Sequence, residues 1–455
     1  MRIRLKAFLL LLLCFAAGIV DVVAQANRIN PTGIVEQIVI EGSPVRQVYV
    51  LQSDSGRRYQ LSASKDLEPY TNKHVTISGT LKDGLLDVQG EIVLDAKNES
   101  LPLPPPTFGS RKTLFIMANF TNDQSQGMTP EQARAPLFTD PDSVDKLFRA
   151  ASGGRYGLTG IQNPLGDIVG WVTIPFTNEN CESRMFGQWT DAADAAARAA
   201  GVEPNNYNSV LYIFPSTPFC SLNYLGTLGD PGSPQTQRSW YQAKTGGLTL
   251  FNKAVAHEIG HNLGLHHASA YRCSGPNIPA DCTADEYGDP ACLMSDANDF
   301  SLQFPNNYYM LRLGWLDADK VTRLDTPGSY TVTLHSPGSW VKGVKGVQIP
   351  LRNANGQLSG KSYFLEARRA VPFDVFTWSG LRAYTSGIGI RYAPDDIAPR
   401  PSRTYLIDTT PATATFGDAP LGVGRTYNDS VYGVSITTLS TNPVRGMRVR
   451  IELSR

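Results

Sequence analysis

Apolar side chains recur along this chain with two periods, and the change between them divides it. From about residue 27 to 100, short runs at 34–40, 47–51, 74–81 and 85–94 alternate apolar with polar positions, predicting a small β unit. Lys82-Asp83-Gly84 predicts a hairpin turn between the last two. Leu101-Pro102-Leu103-Pro104-Pro105-Pro106 then reads as a stiff linker and a domain boundary. Beyond it, Thr113-Leu114-Phe115-Ile116-Met117-Ala118-Asn119-Phe120 predicts a fully buried strand. Ser143 is placed to cap a helix with Val144, Leu147, Phe148 and Ala151 on one face. A strand over 170–176, an alanine-rich helix over 189–200 and a strand over 209–215 follow, so strands alternating with helices predict a mixed α/β domain. After about residue 325 the helical period disappears. Runs at 329–334, 344–351, 362–366, 387–392, 404–408, 433–438 and 447–453, separated by turn residues, predict an all-β sandwich.

The first 26 residues differ from all of this. Arg2, Arg4 and Lys6, an apolar run over 7–20 and Ala24-Gln25-Ala26 follow the order of a secretory signal peptide. The apolar run is shorter than the ~20 residues a membrane span needs, so no span is expected in the mature chain. Lipidation at Cys14 is the alternative, and Leu13 is a poor small-residue substitute before it. The expected division is 1–26 signal peptide, 27–106 small β domain with linker, 107–325 α/β (α+β) catalytic domain and 326–455 C-terminal β-sandwich. A length of 455 residues accommodates two to three domains. With 41 basic and 41 acidic residues, no electrostatic footprint for nucleic acid is visible.

The candidate chemistry is concentrated in His257-Glu258-Ile259-Gly260-His261-Asn262-Leu263-Gly264-Leu265-His266-His267. A helix advances about 100° per residue, so His257 and His261 share a face and reach one ion. Catalytic zinc takes three protein ligands and leaves one position open, so a third donor must come from outside that turn. Gly264 can adopt the left-handed conformation that ends the helix and returns the chain toward the metal. Either adjacent histidine can then supply the third donor, and the spacing of six from His261 selects His267, leaving His266 as a supporting or surface residue. Glu258 adjoins a ligand but points off its face, the placement of a general base.

His-Glu-x-x-His-x-x-Gly-x-x-His resembles the signature of the metzincin zinc endopeptidases, whose further mark is a methionine-containing turn beneath the metal. Met294, 27 residues after His267, is the candidate for that turn. His-Glu-Ile-Gly-His-Asn-Leu-Gly-Leu-His-His-Ala followed by Glu286-Tyr287-Gly288-Asp289 is similar to the gametolysin peptidase family. The chain departs from that pattern at Ser295, where glycine is frequent, and at Asp296, where some metzincins carry tyrosine. The resemblance implies a Zn2+-dependent secreted endopeptidase with an extracellular protein or peptide substrate, held along an edge strand. It leaves the oligomeric state open.

Other readings remain. A zinc-binding adhesion protein with an inactive protease scaffold has no need of Glu258, and a metal-dependent hydrolase of a non-peptide bond stays possible on these residues. The 27–106 unit is either an inhibitory pro-region or an accessory barrel. No cysteine lies between Asn27 and Asn180, so latency by a pro-region thiol is not expected. Five cysteines follow Cys14, and in an exported chain Cys181–Cys220 and Cys273–Cys282 are the expected bridges, with Cys292 free and buried near Met294. The stretch 222–239, rich in Gly and Pro, is expected to border the cleft as a loop. His74 and His335 read as ordinary strand residues.

Overall fold

The computed structural model describes residues 27–455 apart from 43, 83, 96–106, 180, 182–184, 221–223, 231–234, 244–250, 297–301, 340, 375, 377–378, 397–402 and 443–444. The stretch expected to be a signal peptide, with Cys14, and the expected proline-rich linker lie outside the described residues. The chain forms mixed sheets with few helices.

Strands β1 (Asn27–Ile29), β2 (Thr32–Ile40), β3 (Arg46–Ser53), β4 (Arg58–Ser62), β5 (His74–Lys82) and β6 (Leu85–Leu94) open the fold. β2 pairs with both β3 and β5, β3 with β4, β4 with β6 in parallel and β6 with β5, which closes a ring of five strands. This is the strand order of an OB-type Greek-key barrel. Val35, Leu51, Val75, Ile77 and Leu86 fill it. The alternating pattern misses β4 because only Arg58 and Leu61 of its five residues turn inward. His74, expected to be an ordinary surface residue, lies 3.0 Å from both Asp54 and Asp95.

Next come β7 (Gly109–Phe120), α1 (Pro130–Arg134), α2 (Val144–Ala151), β8 (Tyr156–Thr159), β9 (Asp167–Ile174), α3 (Thr190–Ala199), β10 (Ser209–Pro215), β11 (Tyr224–Thr227), β12 (Gln237–Ala243) and α4 (Phe251–Asn262). β7 lies between β10 and the pair β8 and β9, all parallel, with β12 parallel to β10 on the far side. Side chains alternate across the sheet. Leu114, Ile116, Val210, Tyr212 and Phe214 pack against Trp189, Ala193 and Ala197 on one face. Phe115, Met117, Leu211 and Ile213 pack with α2 and α4 on the other. Burial on both faces explains the unbroken apolar runs. Ser143 stands at the start of α2, but its hydroxyl donates to the Phe138 carbonyl at 3.3 Å and does not cap the helix. The stretch 222–239 is also not simply a loop. It holds β11, antiparallel to β12 on one side and to β2 on the other, so barrel and α/β sheet are hydrogen-bonded into one twelve-stranded sheet.

The remaining elements are β13 (Ala268–Cys273), β14 (Cys282–Asp285), α5 (Asn307–Arg312), β15 (Val321–Arg323), β16 (Gly328–Leu334), β17 (Gly346–Arg352), β18 (Leu358–Ala367), β19 (Gly387–Ala393), β20 (Thr404–Ile407), β21 (Leu421–Gly422), β22 (Thr426–Asp429), β23 (Val434–Asn442) and β24 (Gly446–Leu453). They make an eight-stranded and a four-stranded sheet that share one core, including Val347, Leu365 and Ile390 from the larger and Ile436, Val449 and Ile451 from the smaller. β13 enters the larger sheet in parallel with β20, so that sheet begins well before residue 326. Disulfides join Cys181 to Cys220 and Cys273 to Cys282, and Cys292 is free and buried, the pairing expected from the sequence.

A buried charge network fixes this second sheet to the loop ahead of Met294. Arg391 on β19 holds both oxygens of Asp289, at 2.5 and 3.0 Å, and Arg368 bridges Glu366 at 2.8 Å and Asp374 at 2.7 Å. Removing one partner leaves an uncompensated buried charge. Arg391→Ala is expected to destabilise the chain by about 3–5 kcal/mol, read from the midpoint of chemical denaturation. An unchanged midpoint would show that the Asp289 contact contributes nothing.

Candidate metal centre

Helix α4 is buried from Lys253 onward: Val255, Ala256 and Ile259 pack into the core, as does Leu263 just past its end, and His257, Glu258 and His261 are equally inaccessible to solvent. Gly264 ends the helix with φ +84°. The Leu265 amide returns to the Gly260 carbonyl at 3.0 Å and the Gly264 amide to His261 at 2.8 Å, the paired bonds of a Schellman turn. The Asn262 amide group donates to the Thr227 and Arg238 carbonyls at 3.0 and 3.1 Å, which ties the helix end to β11 and β12. Three residues past Gly264, His267 comes back to the other two histidines.

The Nε2 atoms of His257 and His261 stand 3.2 Å apart, and those of His261 and His267 3.1 Å apart. Each Nδ1 faces an oxygen: Leu293 carbonyl at 3.2 Å for His257, Leu265 carbonyl at 2.7 Å for His261 and Glu286 Oε1 at 2.9 Å for His267. Oxygens of this kind accept, so each Nδ1 carries a proton, which leaves Nε2 as the atom each ring would present to a metal. Tetrahedral zinc with bonds of about 2.0–2.1 Å sets ligand–ligand edges of about 3.3 Å, and the histidine spacing fits. His266 is not among the converging groups; Tyr309 donates to its carbonyl oxygen and to that of His267, both at 2.9 Å.

Glu258 lies on the adjoining face of α4. Both its oxygens are buried without a hydrogen-bond partner among the described residues. A buried carboxylate in that condition is costly unless a ligand meets it. Gly226 on β11 is pressed against it, since a Cβ there would come within 2.8 Å of Glu258 Oε2. Burial, reinforced by the Glu41 charge, raises the Glu258 carboxyl well above its usual range. Met294, fully buried, lies under the helix, with its carbonyl accepting from the Ala268 amide at 2.8 Å. Its sulfur occupies the space beside Gly260, where an added Cβ would approach to 2.3 Å.

Two residues of the site were not foreseen. Oε1 of Glu41, immediately after β2, lies 3.4, 3.2 and 3.0 Å from the Nε2 atoms of His257, His261 and His267. Those four side chains are the group able to hold a metal among the described residues. Tyr287 stacks on His267 with ring centroids 4.4 Å apart and donates to Glu41 Oε2 at 2.7 Å. Burial alone would raise the Glu41 carboxyl, but His267 and His257 outweigh it and hold it well below its usual range. Burial likewise opposes a charge on His267, yet Glu41 and Glu286 push it up to about 9, while burial takes His261 down to about 4. Glu286 also meets Arg403 at 3.3 Å. Nothing in the sequence near Glu41 distinguishes it from other strand-end carboxylates.

Residues 174–307 match the family described as Metallo-peptidase family M12B Reprolysin-like. The match spans α4 and the Met294 loop and supports a metzincin-like zinc metallopeptidase. No curated protein matches the chain.

Packing at Gly260 gives a test of the Met294 support. Gly260→Ala is expected to destabilise the chain by about 1–3 kcal/mol and to lower zinc bound per chain, because the new methyl meets a fully packed sulfur. Thermal denaturation and metal analysis read both effects. Unchanged values would show that Met294 yields freely.

Proposed function

We propose that this protein is a secreted zinc endopeptidase, similar to the gametolysin peptidases, acting on extracellular or cell-wall protein. The observation that carries the proposal is the convergence of three Nε2 atoms, with that of His261 3.2 Å from His257 and 3.1 Å from His267, beside a Glu258 whose oxygens are buried without a partner among the described residues. In this reading residues 1–26 direct export, 27–106 form an N-terminal β domain, 107–325 the catalytic domain and 326–455 a C-terminal β-sandwich that covers it. His257, His261 and His267 hold the metal. Zinc, when bound, supplies a Lewis acid that polarises the scissile carbonyl and lowers the pKa of water toward about 7.

The chain's own groups do the rest. Glu258 accepts a proton at a carboxylate oxygen and returns it to the amine that leaves as the peptide C–N bond breaks. Its burial supports that role by making the carboxylate a stronger base and keeping bulk water from it. β11 runs beside Glu258 at Gly226, and an extended peptide would pair with it by main-chain hydrogen bonds along the edge that β2 takes here. A non-catalytic adhesion scaffold would have no use for a buried carboxylate at this position.

Glu258→Ala is expected to retain zinc and to lose at least about 10²–10⁴-fold in cleavage of unfolded casein, whereas His261→Ala loses the metal. Zinc content and casein cleavage are to be measured on residues 27–455, before and after limited proteolysis between residues 95 and 107. Near-normal cleavage by the Glu258 variant would refute the mechanism. A wild-type chain that binds no zinc would refute the reading as a whole.

A further inference from the structure

We propose that Glu41 is a fourth protein ligand of the metal and that β2 occupies the peptide-binding edge of β11, so that the N-terminal barrel is a built-in, carboxylate-latched inhibitor. The inference rests on the zinc-peptidase reading and adds the regulation of that site.

The coordination geometry is the first observation. Glu41 Oε1 stands 3.0–3.4 Å from all three Nε2 atoms, close to the 3.1–3.2 Å that His261 keeps from His257 and His267, which puts it in reach of the same ion as a fourth donor. A carboxylate oxygen at about 2.0–2.2 Å is an ordinary zinc ligand. It takes the position that a catalytic zinc keeps open. The carboxylate is oriented from outside the histidine motif, since Tyr287 donates to its other oxygen at 2.7 Å and receives the Gly42 amide at 3.3 Å. A purely structural four-ligand site would leave Glu258 buried beside it without purpose.

Strand pairing is the second and independent observation. β2 runs antiparallel to β11 with Ile38 opposite Thr227, Val39 opposite Gly226 and Ile40 opposite Leu225. The other edge of β11 is taken by β12. A strand has two edges, so β2 and an extended substrate cannot pair with β11 at once. Gly226, the residue against Glu258, sits in the middle of that pairing. The path of residues 38–41 is therefore that of a peptide laid across the site with its last residue at the metal.

The barrel is also held away from the metal. Arg238 on β12 donates to Gln52 at 3.1 Å and lies 3.8 Å from Glu36, Arg58 donates to the Phe186 carbonyl at 2.9 Å, and Asn72 donates to Leu228 at 3.1 Å. Latch and strand are consequently coupled. Metal strengthens barrel docking, and docking must strengthen metal binding by the same factor.

Full-length 27–455 chains carrying wild-type sequence, Glu41→Gln or, as control, the exposed Glu68→Gln, loaded with Zn2+ or Co2+, test this. Expected for Glu41→Gln are a changed visible spectrum of the Co2+ form, metal release to a chelator faster by about tenfold or more, and faster hydrogen exchange at residues 224–228. Stripping metal from the wild type should speed exchange at the same residues, and Glu68→Gln should match wild type throughout. Matching Co2+ spectra and release rates for Glu41→Gln and wild type would overturn the latch. Exchange at β11 that ignores metal would overturn the coupling of strand and metal. A wild-type chain that takes up neither ion would instead sink the zinc-peptidase reading itself.

Discussion

Three buried imidazoles that must present Nε2 to one point are the constraint around which this molecule is arranged. Each ring needs an oxygen behind its Nδ1, and each oxygen comes from a different place: the turn that ends α4, the Met294 loop and Glu286. The helix must stop within a turn of His261 for His267 to return, and Gly264 at φ +84° provides the stop. Met294 and Gly260 then close the space below. None of these contacts has value alone, since a ring turned the other way would offer a proton where a lone pair is needed.

The second sheet has its place in this arrangement. β13 leaves the metal site directly and pairs with β20, and Arg391 on β19 reaches the loop carrying Asp289. The C-terminal strands are thus built onto the floor of the site. Their charges are buried in pairs, which makes the contact intolerant of loss and well defined in geometry. This agrees with a covering role better than with a separate ligand surface.

The barrel meets the site by two unrelated kinds of interaction, main-chain pairing along β11 and a single carboxylate at the imidazoles. Backbone pairing is indifferent to side-chain chemistry, so it suits both an inhibitor and diverse substrates. The carboxylate is specific, because with a metal bound it would take the position that a catalytic zinc keeps open.

Local chemistry in the sequence determined the helix with two histidines four residues apart, the glycine stop, His267 as the returning residue and the buried strands at 113–120 and 209–215. These follow from periodicity and backbone conformation set within a few residues. Only the tertiary structure decided that residues 224–227 form a strand between β12 and β2, because a four-residue run among Gly and Pro carries too little pattern to read as a strand. It alone brought Glu41 to His261, 220 residues away, and set Tyr287 against His267. Such contacts depend on the register of β2 on β11, where one step would turn every side chain to the other face, and no local signal encodes that register.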